Sequence, residues 1–156
     1  MSSSDLKPDN IGFAADGTLK IFDFGLMTAI VKRTNEKEAY KMTGRTGSLR
    51  YMAPEVYLRQ PYNEKVDVYS FGVILWQLAS NQLPFEGFGR REMEEKVMKG
   101  GYRPAMDRRL PATLRSLISR CWAADHTVRP PFSEIVRELE IISNEVSSLS
   151  QRKSPR

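Results

Sequence analysis

The 156-residue sequence holds a single cysteine and a single histidine. With Cys121 alone, no disulfide closes within the chain, and a lone thiol suits a reducing compartment. Its place beside Trp122 in a helical pattern reads as a small core residue rather than a nucleophile. With His126 alone, a histidine-based catalytic triad and a histidine-rich metal site are both disfavoured. No apolar run reaches the roughly 20 residues that cross a bilayer. The most apolar stretch, Val66 to Ala79, is broken by Asp67, Ser70 and Gln77. The opening Met1-Ser2-Ser3-Ser4-Asp5 has no basic region leading into an apolar one, so it is no secretory signal. Glycine and proline are not enriched enough to signal disorder. The net charge of +5 is modest and falls partly on Arg152, Lys153 and Arg156 near the end. No aromatic residues interleave with that charge and no long basic block exists, so no nucleic-acid partner is expected. These absences leave a soluble intracellular protein, cytoplasmic by expectation, with no membrane partner.

What is present is a change of pattern along the chain. Ile11-Gly12-Phe13 and Leu19-Lys20-Ile21-Phe22 are short apolar runs flanking Asp16-Gly17, a pair that favours a tight turn with positive φ. From Thr28 to Arg50 the periodicity vanishes, which predicts a long loop. After Pro54 the chain turns helical. Val66 to Ser80 is apolar on nearly every side, the mark of a helix buried in a domain centre. Asn81 to Gly89 is a loop. Arg91 to Lys99 reads as a charged surface helix stopped by Gly100-Gly101. Pro111 to Ala123 carries Leu114, Leu117, Ile118 and Cys121 at helical spacing, and Phe132 to about Ser147 carries Ile135, Val136, Leu139 and Ile142. No internal repeat is found. The expectation is one mostly helical domain with a small β-hairpin at its start.

Chemistry-bearing residues gather around that hairpin. Asp5-Leu6-Lys7-Pro8-Asp9-Asn10 precedes it and Asp23 follows its far arm, so Asp5, Lys7, Asn10 and Asp23 can converge. Carboxylate and amide oxygens suit Mg²⁺, a hard cation, and an ammonium suits a phosphate. Those are the ingredients of phosphoryl transfer. Taken alone, Asp5-Leu6-Lys7-Pro8 reads equally as an ordinary polar turn. Asp5-Leu6 with Asn10, then Asp23-Phe24-Gly25, then Ala53-Pro54-Glu55 occur in the order of the protein-kinase motifs. Each lies where a hairpin and an activation loop would put it.

The sequence therefore resembles the C-terminal lobe of a protein kinase, from about Asp5 to Glu140. Further likeness lies in Gly47-Ser48-Leu49-Arg50-Tyr51-Met52-Ala53-Pro54-Glu55, in Val66-Asp67-Val68-Tyr69-Ser70-Phe71-Gly72-Val73, and in Cys121-Trp122 with Asp125 and Arg129-Pro130. Lys7 in Asp-Leu-Lys-x-x-Asn marks Ser/Thr enzymes, whereas the two helical motifs resemble the tyrosine-kinase-like group. The resemblance implies an α+β kinase fold with only its mostly helical C-lobe, in a partial kinase domain over 1–148 and a basic flexible tail over 149–156. It implies ATP and Mg²⁺ as cofactors and protein Ser/Thr hydroxyls as acceptors. Asp5 resembles the catalytic base and Lys7 the residue that steadies the γ-phosphate. Asn10 and Asp23 resemble the Mg²⁺ ligands, and Ser48 faces the substrate. Glu55 and Arg129 resemble a supporting buried ion pair, and Asp67 a carboxylate that accepts backbone N–H groups of the catalytic loop. Trp76 and Trp122 read as core.

Two departures stand out. Ser3 and Ser4 occupy the places of the His and Arg that normally precede the catalytic Asp, so the usual phosphate-reading Arg is replaced by an uncharged side chain. Nothing resembles the Gly-rich loop, the strand Lys or the helix Glu that position ATP. The expectation is a truncated gene product, its N-terminal lobe absent, with negligible turnover on its own. The alternative is a non-catalytic module that sequesters substrates, a regulator or a full-length kinase. A third reading is a fragment without function whose exposed apolar face invites aggregation.

Overall fold

The computed structural model describes residues 6–22 and 49–152, with side chains as far as residue 147. Asp5, Asp23, Phe24, Gly25, Ser48, residues 28–48 of the expected loop and residues 153–156 of the tail lie outside the described residues. The chain enters through a single 3₁₀ turn, Pro8–Asn10, and then forms β1 (Ile11–Phe13) and β2 (Leu19–Ile21). The strands are antiparallel, with Ile11 opposite Ile21, Gly12 opposite Lys20 and Phe13 opposite Leu19. Of Asp16 and Gly17, only Gly17 takes a positive φ, +82°. The Gly17 N–H donates to the Ala14 carbonyl at 2.9 Å, and the Ala14 N–H to the Thr18 carbonyl at 2.8 Å. This is the three-residue loop closed by a left-handed glycine, not the two-residue turn. Asp16 completes it by accepting the Thr18 N–H at 2.9 Å.

The helices that follow are α1 (Pro54–Tyr57), α2 (Lys65–Ser80), α3 (Arg90–Glu92, continued to Lys99), α4 (Ala112–Cys121) and α5 (Phe132–Arg152). Among the described residues the sheet is confined to the opening hairpin, so the architecture is the mostly helical lobe with a small β element. Local chemistry sets the ends. Asn63 accepts the Lys65 N–H at 3.0 Å at the start of α2. Asn81 ends it in the left-handed region with φ +54°, a conformation asparagine tolerates. Gly101, at φ +68°, lets the Tyr102 N–H turn back onto the Lys96 carbonyl at 2.8 Å and closes α3.

Two helices depart from their expected form. Met93–Lys99 in α3 winds as a π-helix. In that wider winding residues five apart align, and Lys99 reaches Glu94 at 2.9 Å as well as Glu95 at 3.0 Å. It is also less of a surface helix than its charges suggest, since Met93, Val97 and Met98 are buried. α5 continues to Arg152 rather than closing near Ser147. Gln151 and Arg152 favour helix and no proline intervenes before Pro155.

α2 is the centre of the lobe. On one side Val66, Tyr69, Val73 and Trp76 meet Tyr51, Met52, Phe85, Val97 and Trp122. On the other, Val68 meets Leu117, Cys121, Ile135 and Ile142. Leu78, at 74% exposure, breaks the all-round burial expected of α2, and Val136, at 53%, lies outside the stripe expected of α5. The α2–α4 crossing depends on Gly72. A Cβ there would lie 2.7 Å from the Cβ of Cys121. Cys121 is itself buried, and desolvation pushes its thiol up to about 12, as befits a packing residue. Among the described residues no helix is long and apolar enough to cross a membrane.

Arg129 ties the parts together from the loop before α5. Its two terminal nitrogens meet both carboxylate oxygens of Glu55, at 2.6 and 3.0 Å. The remaining N–H groups donate to the carbonyls of Ala123 at 2.9 Å, Lys65 at 3.0 Å and Ala124 at 3.3 Å. All five guanidinium donors are thereby used, which a buried cation requires. Lys65 returns the contact, donating Nζ to the Arg129 carbonyl at 2.7 Å.

Two substitutions test this packing. Gly72→Ala is expected to destabilise the chain by about 1–3 kcal/mol, the range for overpacking, as read from urea unfolding. Glu55→Ala is expected to cost about 3–5 kcal/mol, because it leaves a buried cation unpaired. Replacing both Glu55 and Arg129 by Met should cost less than Glu55→Ala alone. Additive losses in the double variant would show that the pair is not acting as a unit.

Candidate functional site

Lys7 stands in extended backbone, φ −151° and ψ 160°, just ahead of Pro8. That geometry is what a residue before proline prefers. Pro8 opens the 3₁₀ turn, and the Asn10 N–H closes it onto the Lys7 carbonyl at 3.0 Å. Lys7 and Asn10 therefore share one turn, with Asn10 buried and Lys7 half-buried. Both residues take part in further interactions. The Asn10 carbonyl accepts the Phe22 N–H at 2.7 Å. The hairpin thus returns to Asn10 one residue before Asp23. Leu6 and Ile11 pack onto the helical core and hold this turn against the lobe.

The structure brings Lys7 and Asn10 together. Asp5, Asp23 and Ser48 lie outside the described residues. Asn10 supplies an amide oxygen and Lys7 an ammonium on one turn. That donor chemistry fits a hard cation beside a phosphate. Among the described residues no three His, Cys, Asp or Glu side chains cluster as metal ligands.

A second group of residues fixes the chain that leads into α1. Ser70 Oγ donates to the Tyr51 carbonyl at 2.7 Å. Tyr51 donates its hydroxyl to Gln77 Oε1 at 2.7 Å. Burial, the larger influence, raises the Tyr51 pKa and keeps that hydroxyl protonated as a donor. Arg50 Nη1 donates to the carbonyls of Pro84 at 2.7 Å and Phe85 at 3.1 Å. Residues 50 and 51 are thus bound at three points to α2 and to the loop after it. Glu55 lies at the start of α1 in its pair with Arg129, and Asp67 is buried in the first turn of α2, already engaged.

Sequence patterns single out Glu55, Asp67 and Arg129 but not Arg50, Tyr51 or Ser70. The signal for Arg50 is the charge itself. A cation set between Leu49 and Tyr51, both apolar and buried, needs acceptors close by. Nor does the motif that contains Tyr69 give it a role, although two guanidiniums lie over its ring. The Arg103 and Arg129 carbons are 4.9 and 5.2 Å from its centre.

Comparison with known proteins adds to this geometry. The family described as "Protein tyrosine and serine/threonine kinase" matches residues 4–139. "Serine/threonine-protein kinase VIK" of Arabidopsis thaliana is 42% identical over 148 residues, covering 92% of this chain and 33% of that protein. "Serine/threonine-protein kinase STY46", also of Arabidopsis thaliana, is 37% identical over 149 residues, with 96% and 25% covered. Human "Mitogen-activated protein kinase kinase kinase 7" is 41% identical over 135 residues, with 85% and 21% covered. The chain spans a third or less of the length of these curated relatives. With a helical lobe built on α2, Lys7 and Asn10 on the turn that leads into the hairpin, and a match over residues 4–139, the chain belongs to the protein tyrosine and serine/threonine kinase family.

Proposed function

We propose that this chain is the catalytic-loop lobe of a Ser/Thr protein kinase, serving transfer of the γ-phosphoryl group of ATP to Ser/Thr hydroxyls of a protein. The observation that carries this reading is the turn holding Lys7 and Asn10 together, with the hairpin bringing residue 22 to the Asn10 carbonyl at 2.7 Å. Mg²⁺ and ATP supply the charge neutralisation and the electrophilic phosphorus when bound. In this reading Asn10 and Asp23 hold the metal and Lys7 steadies the phosphate. Asp5 accepts the proton of the substrate hydroxyl, and Ser48 faces the incoming substrate. Glu55, Arg129 and Asp67 keep the segment and the loop in place. Lys7 in the Asp-Leu-Lys-x-x-Asn pattern, and relatives named as serine/threonine kinases, support Ser/Thr over Tyr as the acceptor. Such transfer rests almost wholly on positioning and electrostatics. The 156-residue chain supplies no match to the Gly-rich loop or strand Lys, so turnover by the isolated chain should be negligible.

The test is a titration of Mg²⁺-ATP into the purified chain, followed by thermal unfolding. Binding to the folded state adds RT ln(1 + [L]/Kd) to stability, so saturating nucleotide at about 100 times Kd should add roughly 2.7 kcal/mol. Asp23→Ala should abolish the shift while leaving the fold intact. No shift at millimolar nucleotide would favour the non-catalytic binding module instead.

A further inference from the structure

Arg50 is the residue for which neither the core nor the expected catalytic set accounts. Its side chain crosses to the loop between α2 and α3, where Nη1 bonds the carbonyls of Pro84 and Phe85. That loop is under strain. Phe85 has a φ of +53°, a conformation in which a bulky aromatic residue is an outlier. Such strain persists only where the surroundings over-determine it, and it gathers at sites with a task. Here the surroundings are plain. Phe85 is buried, with its ring 6.2 Å from that of Phe88 and 6.5 Å from that of Tyr102. The turned backbone delivers two consecutive carbonyls to one guanidinium nitrogen.

We propose that Arg50 is a positioning residue that fixes the substrate-presenting segment by latching it to the strained Pro84–Phe85 backbone. The proposal rests on the kinase reading, in which the residues around Ser48 receive the protein substrate. Arg50 is two residues beyond Ser48 and next to Tyr51, whose carbonyl and hydroxyl are pinned to Ser70 and Gln77 on α2. The Tyr51 bonds hold the segment to α2, and the Arg50 bonds hold it to the loop. The segment thereby gains a second, independent anchor about 35 residues along the chain. The loop also walls an open cavity of about 240 Å³ with Trp76, Phe88 and Tyr102. A change in the set of the loop therefore reaches the segment through Arg50.

The experiment compares the 156-residue chain with Arg50→Ala and Arg50→Lys by amide hydrogen exchange and by retention of a degenerate peptide library with a fixed central Ser or Thr. An ammonium has three donors and can serve both carbonyls, so Lys should rescue. In Arg50→Ala, exchange over residues 49–53 and 84–88 should quicken about tenfold, the scale of losing charge-assisted hydrogen bonds. Exchange in α4 and α5 should hold. Peptide retention should fall several-fold and return in Arg50→Lys. Unchanged local exchange, or quickening throughout the lobe, would overturn the latch. Local loosening with peptide retention intact would overturn the role in substrate positioning and leave the kinase reading standing. A wild-type chain that retains no peptide would remove the substrate reading, and this proposal with it.

Discussion

The lobe depends on one buried guanidinium. Arg129 comes from the loop before α5 and reaches the start of α1 through Glu55, the start of α2 through Lys65, and the turn after α4 through Ala123 and Ala124. Of these elements α1, with four residues, is too short to be set in place by its own burial alone. Net stability is not what such a pair chiefly supplies, since desolvation offsets much of the Coulombic gain. What it supplies is an arrangement with no tolerable alternative. Moving any one partner strands a buried charge or a buried donor. Tyr69 stacks beside the same guanidinium, and its hydroxyl finds no partner among the described residues. Burial raises the pKa of that hydroxyl, so the group beside the ion pair is held neutral.

The two regions that the proposed function uses are held by different physics. Leu49, Tyr51, Met52 and Ala53 are buried, and residues 50 and 51 are strapped by polar bonds to α2 and to the loop after it. The hairpin is attached mainly at its base, by Leu6 and Ile11, and carries Phe13, Leu19, Ile21 and Phe22 in exposed positions. Strength of attachment therefore follows function as proposed. The segment that receives a protein must keep its shape against a large ligand, whereas the hairpin need only bring its two ends together.

Much of this was legible in the sequence because it rests on local rules. The place of the turn at Asp16-Gly17, though not its three-residue form, the apolar run of α2, the stop at Gly100-Gly101 and the stripes of α4 and α5 apart from Val136 follow from backbone preference and periodicity. The motif order located Lys7 and Asn10 on the turn where they lie. What pattern missed is what depends on distant contacts. The π-winding of α3 occurs where Met93, Val97 and Met98 are buried, and the exposure of Leu78 and Val136 follows from which faces find neighbours. Arg50 was hidden for the same reason. Its acceptors are backbone carbonyls, which every residue has, and only the fold decides that Pro84 and Phe85 turn theirs toward it.

The central claim is that a metal–nucleotide complex is held at the turn carrying Lys7 and Asn10, and the most direct measurement is where a paramagnetic ion binds. Mn²⁺ with ATP, added to the isotopically labelled chain, broadens amide resonances close to the ion. The expected result is broadening of Lys7, Asn10, Ile11 and Phe22, with the signals of α4 and α5 unaffected. No broadening at the hairpin, or broadening centred on the carboxylates Glu94 and Glu95 of α3, would contradict it.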